Sequence, residues 1–269
     1  MSGSRRSVEA EEFILKDDNG KTRAKLSMLA GGPQLVLFGS NGEPQIVVAI
    51  SGDEPQLMLA DGNGQLRAAL GLGSDSVALK FFSSEGKERV VLGEKGDAAG
   101  VSLNDSDGSP KALISVDAEG PAVTLFDKGG NPEATLDVNA KGPGLKLWNL
   151  ESLYGVGVDV NLDGPRVALF DSKGIPRTAL GLTEQGASLT LLDSSGTARA
   201  TMGVSESGPG LALSSSEGIS KVELQVAEKE ANLWLFDPEG KPSLLLDTDS
   251  NGPGVSFFDV TGQVIQQLP

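Results

Sequence analysis

The chain has 269 residues, of which 38% are hydrophobic and only 4% aromatic, and it contains 36 glycines and 14 prolines. Its formal net charge is −15, and it has neither histidine nor cysteine. The negative charge argues against nucleic-acid partners, because phosphates would be repelled. The missing residue types exclude disulfides, zinc-thiolate sites and any mechanism that uses a Cys nucleophile or a His base.

The first seven residues are polar, so we expect a flexible tail over residues 1–7 and one hairpin-repeat β domain over residues 8–269. No run of about 18 apolar residues is present, and the sequence therefore predicts no transmembrane segment in this chain. The tail also lacks the apolar stretch of a signal peptide. A longer natural N-terminus could tether the protein to a membrane, and the compartment stays open.

A glycine recurs every 22 residues in eleven of twelve successive positions, and only Ser152 interrupts the series. A polar residue, most often Asp, stands three positions before all of these glycines except Gly42, where Gly39 takes that place. A fixed period of this length is typical of one supersecondary unit that is repeated along the chain. The predicted turn residues are Asp17, Gly20, Gly42, Asp61, Gly64, Gly86, Asp105, Gly108, Asp127, Gly130, Asp171, Gly174, Asp193, Gly196, Gly218, Asp237, Gly240, Asp259 and Gly262.

Each unit is predicted to be an antiparallel β-hairpin, because its apolar residues alternate with a period of two. In the second unit, Leu35 and Leu37 precede the turn, and Ile46 and Val48 follow it. A four-residue loop over 39–42 would pair residue 35 with 46 and 33 with 48, which places all four apolar side chains on one face. Asp at the start of such a turn caps its own backbone, and the glycine supplies the positive φ that closes it.

The opposite face carries a large residue near the turn, such as Phe38, and a frequent cation beside it, such as Arg67. Towards the connector this face holds small residues, such as Ala49 and Gly71. Each hairpin is therefore expected to be wide at its tip and narrow at its base. That shape favours a radial arrangement.

An isolated hairpin is marginal in water, so we expect neighbouring hairpins to cover the apolar face. We predict an all-β fold in which twelve hairpins close into a ring or shallow barrel, since closure hides the sheet edges. A β-solenoid is one alternative, although its turn aspartates would stand about 4.8 Å apart and repel by about 1 kcal/mol for each adjacent pair. A six-bladed β-propeller with four strands in each blade is the other.

The turns Asp61-Gly-Asn-Gly64 and Asp171-Ser-Lys-Gly174, with their equivalents, resemble those of the β-flower family of uncharacterised bacterial proteins. The resemblance covers residues 8–269. It implies a shallow β-barrel with hairpin petals and an often membrane-tethered setting, and it assigns no catalytic residue. Asp-x-x-Gly hairpins also occur in the YD-type repeats of secreted toxin shells, but here Phe or Leu replaces the Tyr that defines those repeats.

No motif points to a metal, a cofactor or catalysis. Asn104-Asp-Ser-Asp107-Gly108 resembles the start of a calcium loop, but the glutamate that would complete an EF-hand is missing. The unit around Ser152 departs from the repeat and contains Trp148 and Tyr154. With Trp234, these aromatic residues are the candidate ligand-binding residues, because they could form a platform for a sugar or a peptide. The alternative is aromatic packing against a neighbouring hairpin.

We therefore expect a non-enzymatic structural or binding module, a rigid monomeric scaffold without cofactors. Its partner would be a protein, a glycan or an apolar ligand. Two alternatives stay open. One is a propeller-like hydrolase that uses carboxylates, and the other is a spike or filament segment built as an open solenoid or a trimer.

Overall fold

The computed structural model describes residues 8–250 and 252–268, and every regular element within these ranges is a β-strand. The all-β prediction is therefore confirmed. The tail predicted over residues 1–7 lies outside the described part of the chain. The strands, β1 to β24 in chain order, are Glu12–Lys16, Thr22–Leu29, Gly32–Phe38, Pro44–Ser51, Glu54–Ala60, Leu66–Leu72, Ser76–Phe82, Glu88–Lys95, Ala98–Asn104, Pro110–Asp117, Gly120–Phe126, Pro132–Asn139, Gly142–Asn149, Tyr154–Asn161, Gly164–Phe170, Pro176–Thr183, Gly186–Leu192, Ala198–Ser205, Gly208–Ser214, Ser220–Val226, Ala231–Phe236, Pro242–Asp249, Gly252–Phe258 and Val264–Leu268.

The chain divides into two compact units, the first ending at Asn131 and the second beginning at Pro132. The first unit contains β1–β11 and the second contains β12–β24. Within each unit, every strand pairs antiparallel with the strand that follows it. Each unit is thus a meander of hairpins joined edge to edge, as the repeated hairpin pattern predicts. The single domain over residues 8–269 stays a prediction.

Strand pairing does not support the predicted closure into a ring or barrel. In the first unit β1 pairs with β2, and in the second unit β24 pairs with β23, but no described pairing joins these end strands into a closed sheet. Both are only five residues long. They also carry polar or charged side chains, Glu12 and Lys16 in β1 and Gln266 and Gln267 in β24. Very short edge strands are one way in which proteins protect an open edge from unwanted pairing, so closure is not needed to hide these edges.

The described pairings also differ from those of a solenoid or a propeller. A parallel solenoid requires parallel neighbours, whereas all the described pairs are antiparallel. A propeller with four-stranded blades would break the pairing after every fourth strand. Instead, β4 pairs with β5, β8 with β9, β16 with β17 and β20 with β21.

The hairpin loops are one residue shorter than predicted. In the second hairpin, the Gly39 N–H donates to the Glu43 carbonyl at 2.9 Å and the Gly42 N–H donates to the Gly39 carbonyl at 3.1 Å. The loop is therefore formed by residues 40–42. Gly42 has a φ of 89°, and the strand register shifts by one residue between Leu37 and Phe38. A type I turn followed by a glycine of positive φ and a bulge is a common three-residue hairpin loop.

The bulge keeps the predicted apolar residues on one face. Leu35 pairs with Val48 and Leu37 with Ile46, a slide of two residues from the predicted partners. A three-residue loop alone would send the two apolar sets to opposite faces, but the extra residue of the bulge restores the parity. The predicted face is therefore right, and the predicted loop length is wrong.

The apolar face of the sheet is more exposed than the sequence pattern predicts, and the opposite face is more buried. On the apolar face, Leu35 and Val48 are 38% and 47% exposed. We call the opposite face, which carries large residues and cations near the turns and small residues near the connectors, the mixed face. It holds the two most buried apolar residues of the described chain, Val36 and Ala168, at 6% and 1%. The expected cover of the apolar face is missing because a neighbouring hairpin bonds to the strand edge. It extends the sheet and does not lie over its face.

Candidate functional site

Each regular hairpin tip is organised by its aspartate. In the hairpin of β15 and β16, Asp171 Oδ1 accepts the backbone N–H groups of Lys173 at 2.9 Å and Ile175 at 3.1 Å. These bonds satisfy loop donors that have no strand partner and hold the turn that ends at Gly174, whose φ is 74°. The same pair of bonds recurs at Asp17, Asp61, Asp105, Asp193 and Asp259.

The second oxygen of the carboxylate holds a cation that reaches the next hairpin. Arg177 lies 3.3 Å from Asp171 Oδ2, and its Nε donates to the carbonyl of Leu192, at the end of β17, at 3.1 Å. We call this arrangement the tip clamp: a turn aspartate, the cation six residues later and a carbonyl at the next tip. The sequence shows where the cation stands in the repeat. It does not show that the cation contacts the turn aspartate and the carbonyl at the next tip. The clamp is formed by Arg23, Arg67, Lys111, Arg177 and Arg199.

These bonds keep the turn carboxyls ionised. The backbone N–H of Lys173 is the main cause that lowers the pKa of Asp171, against the opposing effect of partial desolvation. The pKa of Asp193 is lowered to about 2, first by the Ser195 hydroxyl. A general acid at neutral pH needs the opposite shift, towards a raised pKa. The lowered group comprises Asp17, Asp61, Asp105, Asp127, Asp171, Asp193, Asp237 and Asp259.

The hairpin of β13 and β14, which lacks the turn glycine, has a different loop. Asn149 pairs directly with Tyr154 without a bulge, and residues 150–153 form a four-residue loop. The backbone N–H and the hydroxyl of Ser152 donate to Asn149 Oδ1 at 2.8 and 2.9 Å. Leu153 takes the positive φ, at 60°, and is the one non-glycine residue to do so among those described. The strain therefore lies one residue beyond the position that the repeat marks.

We expect Leu153→Gly to raise the free energy of unfolding by about 1 kcal/mol in urea titrations followed by circular dichroism. The substitution removes a left-handed penalty of about 1–2 kcal/mol, partly offset by the entropy of glycine in the unfolded chain, about 0.5–1 kcal/mol. Ser152→Gly is the matched control and should be destabilising by up to about 1 kcal/mol, since it deletes a hydrogen bond. If Ser152→Gly had the higher free energy of unfolding and Leu153→Gly the lower one, this loop would have the regular geometry.

The predicted aromatic platform is divided between two places. The rings of Trp148 and Phe170 lie 5.4 Å apart, and a Cβ at Gly155 would overlap the indole of Trp148. Trp234 instead contacts Phe236 and Phe258, with centroids 6.3 and 5.8 Å away. Both tryptophans therefore pack against aromatic residues of their own or adjacent hairpins.

Tyr154 is 58% exposed at the start of β14. It forms no ring contact with either tryptophan in the described part of the chain. A ligand-binding role for Trp148, Tyr154 and Trp234 stays a prediction.

A cleft of about 650 Å³ lies in the second unit, near the bases of the hairpins from β16 to β21, and residues of both sheet faces line it. Its lining includes neutral polar side chains such as Ser188, Thr201 and Gln225, together with Glu223. None of the three predicted aromatic residues lines it, although Trp234 is the cross-strand neighbour of Glu223. Because the side chains here are small, the repeat leaves room at the hairpin bases.

The apolar face is the most extensive feature that the fold leaves accessible. It consists of the strand positions equivalent to Leu35, Leu37, Ile46, Val48 and Ile50 in each hairpin. In the described strands these positions hold apolar residues except at Glu94, Thr178, Thr248 and Gln266. Many of the apolar side chains are about half exposed. Examples are Ile114 at 58%, Leu136 at 52%, Leu180 at 53%, Met202 at 57% and Val204 at 58%.

Neither a metal site nor a membrane-spanning helix is found in residues 8–250 and 252–268. No group of three or more acidic side chains lies close enough together to hold a metal ion. No helix that could cross a membrane occurs there.

No family model matches this chain, and no curated protein is similar to it. Among solved structures, a crystal structure of TcdB2-TccC3-Cdc42 aligns with 94% of this chain and 17% of its own, at 12% identity and a TM-score of 0.21. A Tc holotoxin pore of Photorhabdus luminescens aligns with 96% of this chain and 18% of its own, at 12% identity and a TM-score of 0.18. This chain thus spans less than a fifth of either toxin chain.

A functionally unknown protein from Desulfotomaculum acetoxidans aligns with 87% of this chain and 91% of its own, at 11% identity and a TM-score of 0.17. All three TM-scores are too low for an inference about fold or function.

Proposed function

We propose that this chain is a non-enzymatic structural or binding module, a hairpin-repeat scaffold that offers its apolar face to a partner. The exposure of this face carries the proposal: in the described strands, more than thirty of its apolar side chains are at least 36% exposed. Monomeric proteins rarely expose contiguous apolar patches of more than about 600 Å². A face with this many half-exposed Leu, Val and Ile side chains favours a working state in which it is covered.

The hairpin tips favour a scaffold over a carboxylate-using hydrolase. Their aspartates accept backbone N–H groups and hold the clamp cations, so their oxygens already have partners. Their pKa values are lowered, whereas one carboxyl of a glycosidase pair must have a raised pKa to act as the acid. The tip carboxylates are thus suited to holding hairpins in place.

The chemistry of the apolar face selects among the expected partner classes. A glycan needs polar groups that fix its hydroxyls, which the cleft offers and the apolar face does not. An apolar ligand or the apolar surface of a protein gains about 25 cal/mol for each Å² of apolar area removed from water. We therefore favour an apolar partner. The β-flower resemblance, ring closure and membrane tethering through a preceding segment remain proposals that rest on the sequence.

A single fluorescent label can test whether this face takes an apolar partner. The chain has no cysteine, so Val226→Cys and Gln225→Cys each give one labelling site. These neighbours in β20 point to opposite faces, and both are exposed. At nanomolar protein, neutral dodecyl maltoside micelles should shift the emission of a polarity-sensitive dye to the blue at position 226 but leave it unchanged at position 225. The same response at both positions would contradict the proposed function.

A further inference from the structure

We propose that the apolar face is covered by the same face of a second copy of this chain, so that two sheets pack face to face. This inference rests on the proposed function, since it names the partner of the same surface. It replaces the monomer expected from the sequence. That expectation assumed a closed ring of hairpins, which the described strand pairing does not support.

The available area exceeds what a stable interface needs. More than thirty apolar side chains of this face are at least 36% exposed in the described strands, whereas a standard interface uses about 20–30 residues from each partner. A standard interface buries about 800 Å² from each partner, and obligate homodimers bury up to about 2,500 Å² from each. Obligate interfaces are also the more apolar class. The apolar face therefore has both the extent and the composition of a permanent contact.

A second copy carries the matching spacing. Each hairpin contributes rows of apolar side chains on two strands, and neighbouring strands lie about 4.8 Å apart. The rows therefore follow one another about every 4.8 Å, and the pattern of one hairpin returns about every 9.6 Å in any copy of the chain. The side chains of one sheet can thus enter the gaps of the other. Sheets of this kind pack about 10 Å apart with their strands nearly aligned. A two-fold axis brings identical patches together without leaving a free patch for further growth.

The charge distribution favours a second copy over an anionic partner. Among the described strands, Glu94 is the one charged side chain on the apolar face. The other charges lie on the tips, the connectors and the mixed face. The net charge of −15 would repel nucleic acid or an anionic membrane, whereas two apolar faces can meet with their charged groups directed outwards. Residual repulsion between the copies is screened by salt, so their affinity should rise with sodium chloride.

The first experiment measures the mass of the full chain in solution by light scattering after size exclusion. We expect twice the chain mass of 27.7 kDa at micromolar concentration. Leu224→Lys combined with Val226→Lys places two charges on the apolar face, where these side chains are each 41% exposed, and should give the monomer mass. Gln225→Lys adds the same kind of charge to the opposite face of β20 and should keep the oligomer. A wild-type monomer, or equal masses for both variants, would overturn the inference.

The second experiment stays informative if the double lysine variant fails to fold. The dye at Val226→Cys, without detergent, should shift to the blue as protein rises from nanomolar to micromolar concentration, while the dye at Gln225→Cys should not. If the dye at position 226 shifted with detergent but not with protein concentration, pairing with a second copy would be wrong and the proposed function would stand. No shift at position 226 under either condition would overturn both.

Discussion

Gly164→Ala should lower the free energy of unfolding by about 4 kcal/mol. Gly164 begins β15 with a φ of 117°, where a Cβ would overlap the carbonyl oxygen of Leu182 in β16. The unusual backbone conformation costs an L-residue about 1–3 kcal/mol, and forcing an extra carbon into a packed site typically adds another 1–3 kcal/mol. Urea titration followed by circular dichroism measures the change.

Two other glycines of the second unit separate these contributions. Gly252 has the same φ of 117° but no atom within 4 Å of its Cβ position, so Gly252→Ala should cost only the conformational part, about 2 kcal/mol. Gly174, the turn glycine with a φ of 74°, is equally open, and Gly174→Ala should cost about 1–2 kcal/mol. Equal losses at Gly164 and Gly252 would mean that the strand of Leu182 moves aside at no cost.

The connector glycine illustrates what the sequence could and could not reveal. The 22-residue period draws attention to the turn glycines, whose positions have space for a side chain at Gly42 and Gly174. The stricter positions are connector glycines such as Gly142, Gly164 and Gly186, where the backbone at the base of the second strand of the same hairpin approaches. Their frequent Gly-Pro sequence is visible. The distance between the two strand bases is a property of the folded hairpin backbone, and the pattern of residue types does not contain it.

Local rules predicted the hairpins well because a hairpin is made by residues close in sequence. The alternation of apolar residues predicted the strands, and the recurrent Asp and Gly predicted the turns. The loop length escaped prediction because a three-residue loop with a bulge and a four-residue loop without one place Leu35 and Val48 on the same face. Burial escaped prediction for another reason. Whether a hairpin adds to a neighbour's edge or lies over its face depends on backbone hydrogen bonds that both arrangements can satisfy.

The turn aspartates should make the protein sensitive to acid. The pKa of Asp193 is lowered from 3.8 to about 2, first by the Ser195 hydroxyl, and the pKa values of the seven other turn aspartates are also lowered. A carboxyl with a folded pKa below its unfolded value stabilises the protein above the unfolded pKa. That stabilisation is lost as the pH falls through the folded pKa. We therefore expect the melting temperature to fall most steeply between pH 4 and pH 2.

Acid also removes the repulsion that a net charge of −15 creates, and this opposite effect must be separated from the loss of the clamps. Asp193→Asn separates them, because it deletes one clamp carboxylate and changes the net charge by only one. The variant should melt below the wild type at pH 7, where the carboxylate of Asp193 accepts bonds from Ser195, Thr197 and Arg199. The difference should shrink as the pH falls towards 2, because about half of the wild-type Asp193 carboxyls are then protonated. A difference that stays constant from pH 7 to pH 2 would mean that the ionised form contributes nothing, and that the amide differs from the carboxyl only in its packing.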